Sequence, residues 1–173
     1  VVIIPDYVLS ASGSKAGDKW KEFENSAANE GKTLVNAGTK DGAEFLRWVR
    51  AVQAHPAAVD LLEADGSFQE TIVWRDEEHG VDRKARLDML HYGAEVIVDL
   101  KTSRTAATPR ECANEVAKWG YHRQAAFYQD AVTALHGTSP IFIFIFVSKI
   151  PPYRVETFEL SEDFIAIGRE ENH

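Results

Sequence analysis

Two short runs, Arg86-Leu87-Asp88 and Val96-Ile97-Val98-Asp99-Leu100-Lys101, place two carboxylates and a lysine in segments that read as neighbouring β-strands. Charges inside a sheet are costly unless they pair with each other or bind something, typically a metal. Val96 and Val98 alternate with Ile97 and Asp99, so the second run is a strand whose apolar pattern breaks at Asp99 and again at Lys101. Residues two apart on a strand share a face, about 6–7 Å apart along it, so Asp99 and Lys101 point the same way. The turn between the runs is centred on Tyr92-Gly93, where glycine supplies the permissive backbone. Pairing across that turn sets Asp88 opposite Ile97 and diagonal to Asp99. Diagonal neighbours lie roughly 7–8 Å apart, close enough for two carboxylates to converge on one cation. Asp plus Asp-x-Lys on one face suits a metal-dependent phosphodiesterase. An ordinary exposed strand face would account for a lone Asp-x-Lys; the Arg-Leu-Asp at hairpin spacing and a helix further along favour the chemical reading.

That helix surrounds Trp119 to Asp130. Gln124 and Tyr128 are four apart and share one face. Gln124 offers an amide that can hold a carboxylate, a water or a phosphate, and Tyr128 an aromatic face ending in a hydroxyl. The plainer reading packs Tyr128 in the core and leaves Gln124 solvated. Phosphodiester hydrolysis needs an in-line water and a sink for charge on the phosphate and the leaving oxygen. One or two Mg²⁺ ions with hard carboxylate ligands provide that sink. Lysine is a compact cation suited to the nucleophile side of such a reaction. Arg86, Arg104, Lys118 and Arg123 are candidate phosphate contacts, as is the Thr102 hydroxyl beside Lys101; each of the charges could equally be solvated.

The elements that must position these residues follow from periodicity. Val1 to Leu9 reads as a strand or extended lead-in, Ser10 to Gly17 as turn-rich, and Asp18 to Ala28 as a helix with Trp20 and Phe23 on one side. Phe45, Leu46, Val49 and Val52 recur at helical spacing in a helix from Thr39 to about Gln53. Pro56 opens a short helix through Leu62. Strands are expected at about Phe68–Arg75, Lys84–Leu90 and Glu95–Lys101, a three-strand meander joined by Asp76–Gly80 and His91–Ala94. A polar loop, Thr102 to Thr105, leads into a helix from about Pro109 to Leu135 that Gly120 either kinks or divides. Ile141 to Val147 alternates Ile with Phe, as a strand buried on both faces would. Tyr153 to Leu160 forms another strand, and Ser161 starts a helix that the chain ends too soon to complete.

Composition fits one soluble α/β or α+β domain. The chain has 173 residues, 45% of them hydrophobic, with four tryptophans, which argues against disorder. The run Ile141 to Val147 is far too short to cross a bilayer as a helix, so no membrane partner is expected. Cys112 is the single cysteine, which excludes an internal disulfide and a four-cysteine metal site and fits a reducing, cytoplasmic setting. A formal charge of −8 counts against a generally sticky nucleic-acid binder, but an enzyme can meet DNA through a local basic rim and a metal. Gly-x-Ser-x-Gly and Walker-type phosphate loops are absent.

Arg-Leu-Asp88, then Val-Asp99-Leu-Lys101-Thr, then Lys118-Trp-Gly-Tyr-His-Arg-Gln-Ala-Ala-Phe-Tyr128 together resemble the PD-(D/E)xK nuclease superfamily. More narrowly they are similar to the nuclease domain of exonuclease VIII (RecE-like) and its phage and prophage relatives, over roughly Gly31 to Leu160. The resemblance implies a restriction-endonuclease-like core, a central mixed β-sheet flanked by helices. It implies a magnesium-dependent 5′-to-3′ exonuclease acting on double-stranded DNA (with Mn²⁺ as a substitute), partnered by a single-strand annealing recombinase and assembled as a ring-shaped homo-oligomer. Carried over by position, Asp88 and Asp99 are metal-binding carboxylates, the Leu100 carbonyl is a further ligand, and Lys101 orients or activates the attacking water. Gln124 and Tyr128 match the Gln-x-x-x-Tyr signature that supports the site. Leu100 stands where the superfamily name has a second acidic residue, as in the RecE-like pattern. The upstream Gly-Thr-Ala-x-His helix of relatives has no counterpart, so residues 1–173 are expected to be one nuclease domain lacking that helix; His55 marks a helix end before Pro56. Another PD-(D/E)xK endonuclease would share the metal residues, and a catalytically silent DNA-binding or assembly module is the reading from a different class.

Overall fold

The computed structural model describes residues 2–3, 15, 17–30, 34–93 and 95–172, which fall into two units, Val1–Val49 and Arg50–His173. Most of the segment expected to be turn-rich, and the lead-in beyond Ile3, lies outside the described residues. In the first unit, β1 (Val2–Ile3) runs parallel to β2 (Leu34–Val35). Helix α1 (Asp18–Asn29) buries Trp20 against Phe23 and Leu34. Helix α2 (Lys40–Gln53) opens at Thr39, whose Oγ1 accepts from Gly42 N at 3.1 Å. Only glycine fits at 42, since a Cβ there would stand 1.9 Å from the Asn36 carbonyl oxygen.

The second unit takes in the end of α2 from Arg50 and continues with α3 (Pro56–Glu63). His55 is its N-cap, with Nδ1 accepting from Ala58 N at 3.2 Å. Five strands follow: β3 (Gly66–Phe68), β4 (Thr71–Asp76), β5 (Val81–Arg86), β6 (Met89–His91) and β7 (Val96–Ser103). Then come α4 (Pro109–Trp119), α5 (Tyr121–His136), β8 (Ile141–Ser148), β9 (Val155–Glu159) and α6 (Glu162–Asn172). The main sheet has the order β3-β6-β7-β8-β9, with β7 and β8 parallel over eight residue pairs and the other neighbours antiparallel. A parallel pair needs a long crossover, and α4 and α5 supply it. This is the mixed sheet with flanking helices that the motifs implied. Among the described residues no helix is long and apolar enough to cross a membrane.

The three-strand meander is not what forms. The segment expected as one strand at Phe68–Arg75 divides at Gln69-Glu70, and Lys84–Leu90 divides at Leu87-Asp88. β4 and β5 make a separate two-stranded ribbon, although the same register runs through both halves: Phe68 pairs with Met89, and Thr71 with Arg86. Two backbone bonds bridge the break, Gln69 N to Asp88 O at 3.0 Å and Leu87 N to Glu70 O at 2.9 Å. The hairpin is therefore continuous but bent, with Gln69 at φ 54 taking up the change of direction. The β6–β7 register also differs from expectation. Met89 pairs with Val98 and Leu90 with Ile97, so extending the ladder sets Asp88 opposite Asp99 rather than Ile97. The connection includes Glu95, which moves the centre of the turn along the chain. β7 also continues through the expected polar loop as far as Ser103.

Gly120 divides the long helix. At φ 66 it ends α4 and begins α5, while Thr108 and Glu111 form a reciprocal capping box at the start of α4. α5 lies on the sheet face that carries Phe142, Phe144 and Phe146, all fully buried, with Tyr121 and Tyr128 against these rings. Ile145 and Val147, on the opposite face, are buried too, as the Ile/Phe alternation requires. On its outer side α5 meets α6, where Gly168 allows close approach: a Cβ there would lie 2.3 Å from the His122 carbonyl oxygen.

Phe144 sits at the centre of this packing, in ring contact with Phe142, Phe146, Phe158 and Tyr121. Phe144→Ala should cost about 3–5 kcal/mol in urea unfolding. Val73→Ala, on the exposed side of the ribbon, should change stability by no more than about 0.5 kcal/mol.

Candidate active site

β7 is the middle strand of the main sheet, and Asp99 on it is 1% exposed. Its carboxylate has two close companions. Gln124 Nε2 donates to Oδ1 at 3.2 Å, and the Lys101 ammonium forms an ion pair with Oδ2. Gln124 also turns its Oε1 to Lys101 Nζ at 2.9 Å, so one amide bridges acid and base. Oδ2 is buried against the Lys101 ammonium, which acts on it both as a charge and as a hydrogen-bond donor. Burial is the largest influence on Asp99 and raises its pKa from the ordinary 3.8 to about 6. The Lys101 charge pulls it down, and the neighbouring Asp88 pushes it up.

Asp88 sits at the bend where the ribbon leaves the main sheet. Its Oδ2 accepts from Leu100 N at 3.0 Å, and its Oδ1 from Gln69 Nε2 at 3.1 Å. The first bond occupies backbone that β6 leaves unpaired, since the ladder with β7 ends at Val98. In an extended strand the N–H and C=O of one residue face the same edge. The Leu100 carbonyl is thus on the edge of β7 facing Asp88, while its side chain is exposed.

α5 presents Tyr121, Gln124 and Tyr128 to this face. Tyr128 is half-buried and hydrogen-bonds Gln124; burial raises its pKa, the Gln124 bond opposes the rise, and the Asp99 and Asp88 charges add to it. Tyr128 packs on Phe142, and Gln124, which is not left solvated, links Asp99 to Lys101. Tyr121 was not anticipated. Its ring lies 4.7 Å from the Lys101 ammonium, and burial, then Glu115 and Asp99, raise its pKa. Tyr121, Gln124 and Tyr128 follow the i, i+3, i+7 pattern of one helix face, a signal the sequence contained. Gln69 had no such signal, because it lies in what reads as an uninterrupted strand.

These residues fit a divalent cation. Two carboxylates and a free-edge carbonyl are hard oxygen donors, the set that Mg²⁺ takes together with water. The chemistry of the donor set provides the supporting observation: the buried Asp99 Oδ2 already faces one positive charge, the Lys101 ammonium, and Asp88 lies close enough to raise the Asp99 pKa. Among the described residues no group of three or more His, Cys, Asp or Glu side chains gathers, so a richer protein-only cage is not formed here.

The expected DNA contacts separate into two sets. Thr102, Arg104 and Lys118 line one cleft of about 750 Å³, together with Trp119, Tyr121 and Lys149. Arg86 is exposed at the end of β5 and Arg123 is exposed on α5; neither lines that cleft. Arg123 Nε lies 3.6 Å from Glu171 Oε2 on α6.

Residues 6–173 match the family described as a PDDEXK-like domain of unknown function, DUF3799. The chain belongs to this family. The superfamily resemblance drawn from Asp88, Asp99 and Lys101 therefore holds at the level of the PDDEXK-like domain, a nuclease fold. No curated protein matches the chain. Among solved structures, a candidate exonuclease from Eubacterium rectale is similar at a TM-score of 0.66 with 16% identity, over 88% of this chain and 57% of that one. The likeness is one of fold, and the DUF3799 chain spans little more than half of that protein's length. The crystal structure of SSO0001 matches at a TM-score of 0.42 and 14% identity, over 87% of this chain and 66% of that one, too loosely to bear on the fold.

The raised Asp99 pKa fixes the sign of a pH effect. Between 3.8 and about 6 the folded state keeps a proton that the unfolded chain has released. Its stabilising contribution is whole below about 3.8 and is lost as pH climbs through about 6, amounting to about 3 kcal/mol. In EDTA, urea unfolding of Asp99→Asn should lack that loss, so its stability relative to the unsubstituted chain should rise from pH 4 to 7.5. Parallel profiles would mean that Asp99 ionises like a surface carboxylate.

Proposed function

We propose that this chain is a metal-dependent exodeoxyribonuclease that hydrolyses phosphodiester bonds of linear double-stranded DNA. The observation that carries the reading is the buried Asp99 carboxylate, bridged by Gln124 to Lys101 and facing Asp88 across the end of the β6–β7 ladder. Asp88, Asp99 and the Leu100 carbonyl would hold Mg²⁺, or Mn²⁺ in its place. When bound, the cation supplies charge neutralisation at the phosphate and makes water a better nucleophile at neutral pH.

The chain's own residues divide the remaining work. Lys101 carries a positive charge to the reacting phosphate or holds the attacking water, and its ammonium is already fixed by Asp99, Gln124 and the Tyr121 face. Gln124 keeps lysine and carboxylate in register, and Tyr128 holds Gln124 from the core side. Gln69 and Leu100 N orient Asp88. Such preorganisation matters because a small displacement of a catalytic group can cost about a hundredfold in rate.

The finer assignments rest on the RecE-like resemblance of Arg-Leu-Asp88, Asp99-Leu-Lys101 and Gln124-x-x-x-Tyr128. They are 5′-to-3′ polarity, a single-strand annealing recombinase as partner and a ring-shaped homo-oligomer around DNA; the cytoplasmic location rests instead on Cys112 being the single cysteine. Comparing linear with covalently closed duplexes tests the exonuclease reading: linear DNA should be degraded from its ends and closed circles spared. Light scattering tests the ring, and a monomer cutting circles as fast as linear DNA would leave only a PD-(D/E)xK endonuclease.

Asp88→Asn and Asp99→Asn should each lower Mg²⁺-dependent cleavage by about a hundredfold or more, because an amide keeps the shape but loses the charge that holds the cation. Lys101→Ala should lose turnover to a similar degree but still bind Mn²⁺ in isothermal titration. Full activity in either Asn variant would remove the metal assignment. If Lys101→Ala lost metal binding as completely as the Asn variants, the separate role given to the lysine would be wrong.

A further inference from the structure

The cleft of about 750 Å³ beside the site has a composition of its own. β7 ends at Ser103 and β8 at Ser148, so Arg104 and Lys149 are the first residues past the carboxyl ends of adjacent parallel strands. Open α/β sheets hold ligands at that position. α4 contributes Glu111, Asn114, Glu115 and Lys118, spaced along one helix face. Both carboxylates are engaged within the fold. Glu115 Oε1 accepts from Ser103 Oγ at 2.5 Å and Thr105 Oγ1 at 3.4 Å, and Glu111 Oε2 accepts from Thr108 Oγ1 at 2.8 Å and Thr108 N at 3.1 Å. The lining thus sets three cations, Arg104, Lys118 and Lys149, against two carboxylates that are turned toward donors of the fold.

Trp119, the last residue of α4, is 58% exposed in this cleft, and the Lys118 ammonium lies 4.8 Å from its ring centroid. A largely exposed indole with a lysine over one face is the pairing that single-stranded nucleic acids meet, with bases stacked on aromatic faces and phosphates on basic groups. The volume falls within the range of small-ligand pockets, room for a short stretch of one strand. Tyr121 joins the two places, since it lines the cleft and its ring also faces the Lys101 ammonium at 4.7 Å.

We infer that this cleft binds a single-stranded segment of nucleic acid, with a base stacked on Trp119 and phosphates on Arg104 and Lys118, and that the strand continues past Tyr121 to Lys101. The continuation rests on the nuclease reading above; the binding does not. In EDTA, where no cleavage occurs, fluorescence anisotropy with the full chain compares a labelled single-stranded oligodeoxynucleotide with a blunt duplex of the same sequence. Trp119→Ala should weaken single-strand binding about 5- to 150-fold, leave duplex binding largely unchanged and keep the melting temperature, while Trp119→Phe retains most of the affinity. Lys118→Ala should lower the salt slope by about 0.7, the share of one phosphate on a single strand. Undiminished single-strand affinity in a folded Trp119→Ala variant would overturn the inference, as would an equal loss on duplex or no single-strand binding at all. A chain that binds single strands through Trp119 but cleaves nothing with Mg²⁺ or Mn²⁺ would leave the cleft standing and remove the nuclease reading. The reverse pair of results would do the opposite.

Discussion

A carboxylate buried in the middle strand of the sheet is the constraint around which this half of the chain is organised. An isolated ionised group at Asp99 would be costly to hold, and removing one partner of a buried ion pair typically costs about 3–5 kcal/mol. The fold meets that demand with Lys101 two residues along the same strand and with Gln124 from the helix above. Gln124 can reach both only if α5 starts in the right phase, and Gly120 sets that phase by ending α4 in a left-handed conformation. Tyr121, immediately after the break, then closes over the lysine. A charge that would be a defect in a purely structural sheet thus dictates the helix break and three side chains on one helix face.

The second constraint is backbone supply. A central strand paired on both edges would leave no free carbonyl or N–H near Asp99. Here the β6 ladder stops at Val98, and the hairpin bends away as the ribbon, so Asp88 replaces the missing strand at Leu100 N. The bend is made at Gln69, whose positive φ is a sparsely populated conformation costing about 1–3 kcal/mol. The same residue's side chain holds Asp88. Local strain and carboxylate placement therefore share one residue, as expected where backbone geometry serves a site rather than the sheet.

Most of this arrangement was legible in the sequence at the level of residue types. Asp99 and Lys101 announce themselves by breaking an apolar strand, and Gln124 and Tyr128 by helical spacing. The order of helices and strands after Leu90 follows from periodicity, with the Ile/Phe alternation of Ile141–Val147 as its plainest mark; Gly120 signalled a kink or a division, and a division is what forms. What escaped was register and bending. A hairpin turn that takes in Glu95 shifts every cross-strand partner, and pattern alone does not distinguish it from one centred on Tyr92-Gly93. The division of two strands at Gln69-Glu70 and Leu87-Asp88 leaves no mark either, because the hairpin keeps one pairing register through the bend and only its direction changes. Gln69 was consequently invisible, whereas Tyr121 could have been found from the face it shares with Gln124.

One βαβ unit carries both the acid–base cluster and the adjoining cleft. β7 bears Asp99 and Lys101 in its middle and Thr102 at its end, α4 lines the cleft, α5 covers the cluster, and β8 lends its aromatic side chains beneath. This economy explains how a chain with a formal charge of −8 could engage a polyanion. Net charge acts at long range and is screened beyond about 8–10 Å at ordinary ionic strength. Contact chemistry depends instead on the few groups within that distance, and in the cleft both carboxylates are held by hydroxyl and backbone donors while Arg104, Lys118, Lys149 and a largely exposed indole line it. The carboxylates left facing the cluster, Asp88 and Asp99, would be offset by a cation in the same place where a phosphate needs one. Under the nuclease reading, acidic composition and phosphate chemistry are compatible at this site, because the two carboxylates nearest the phosphate would be those that hold the metal.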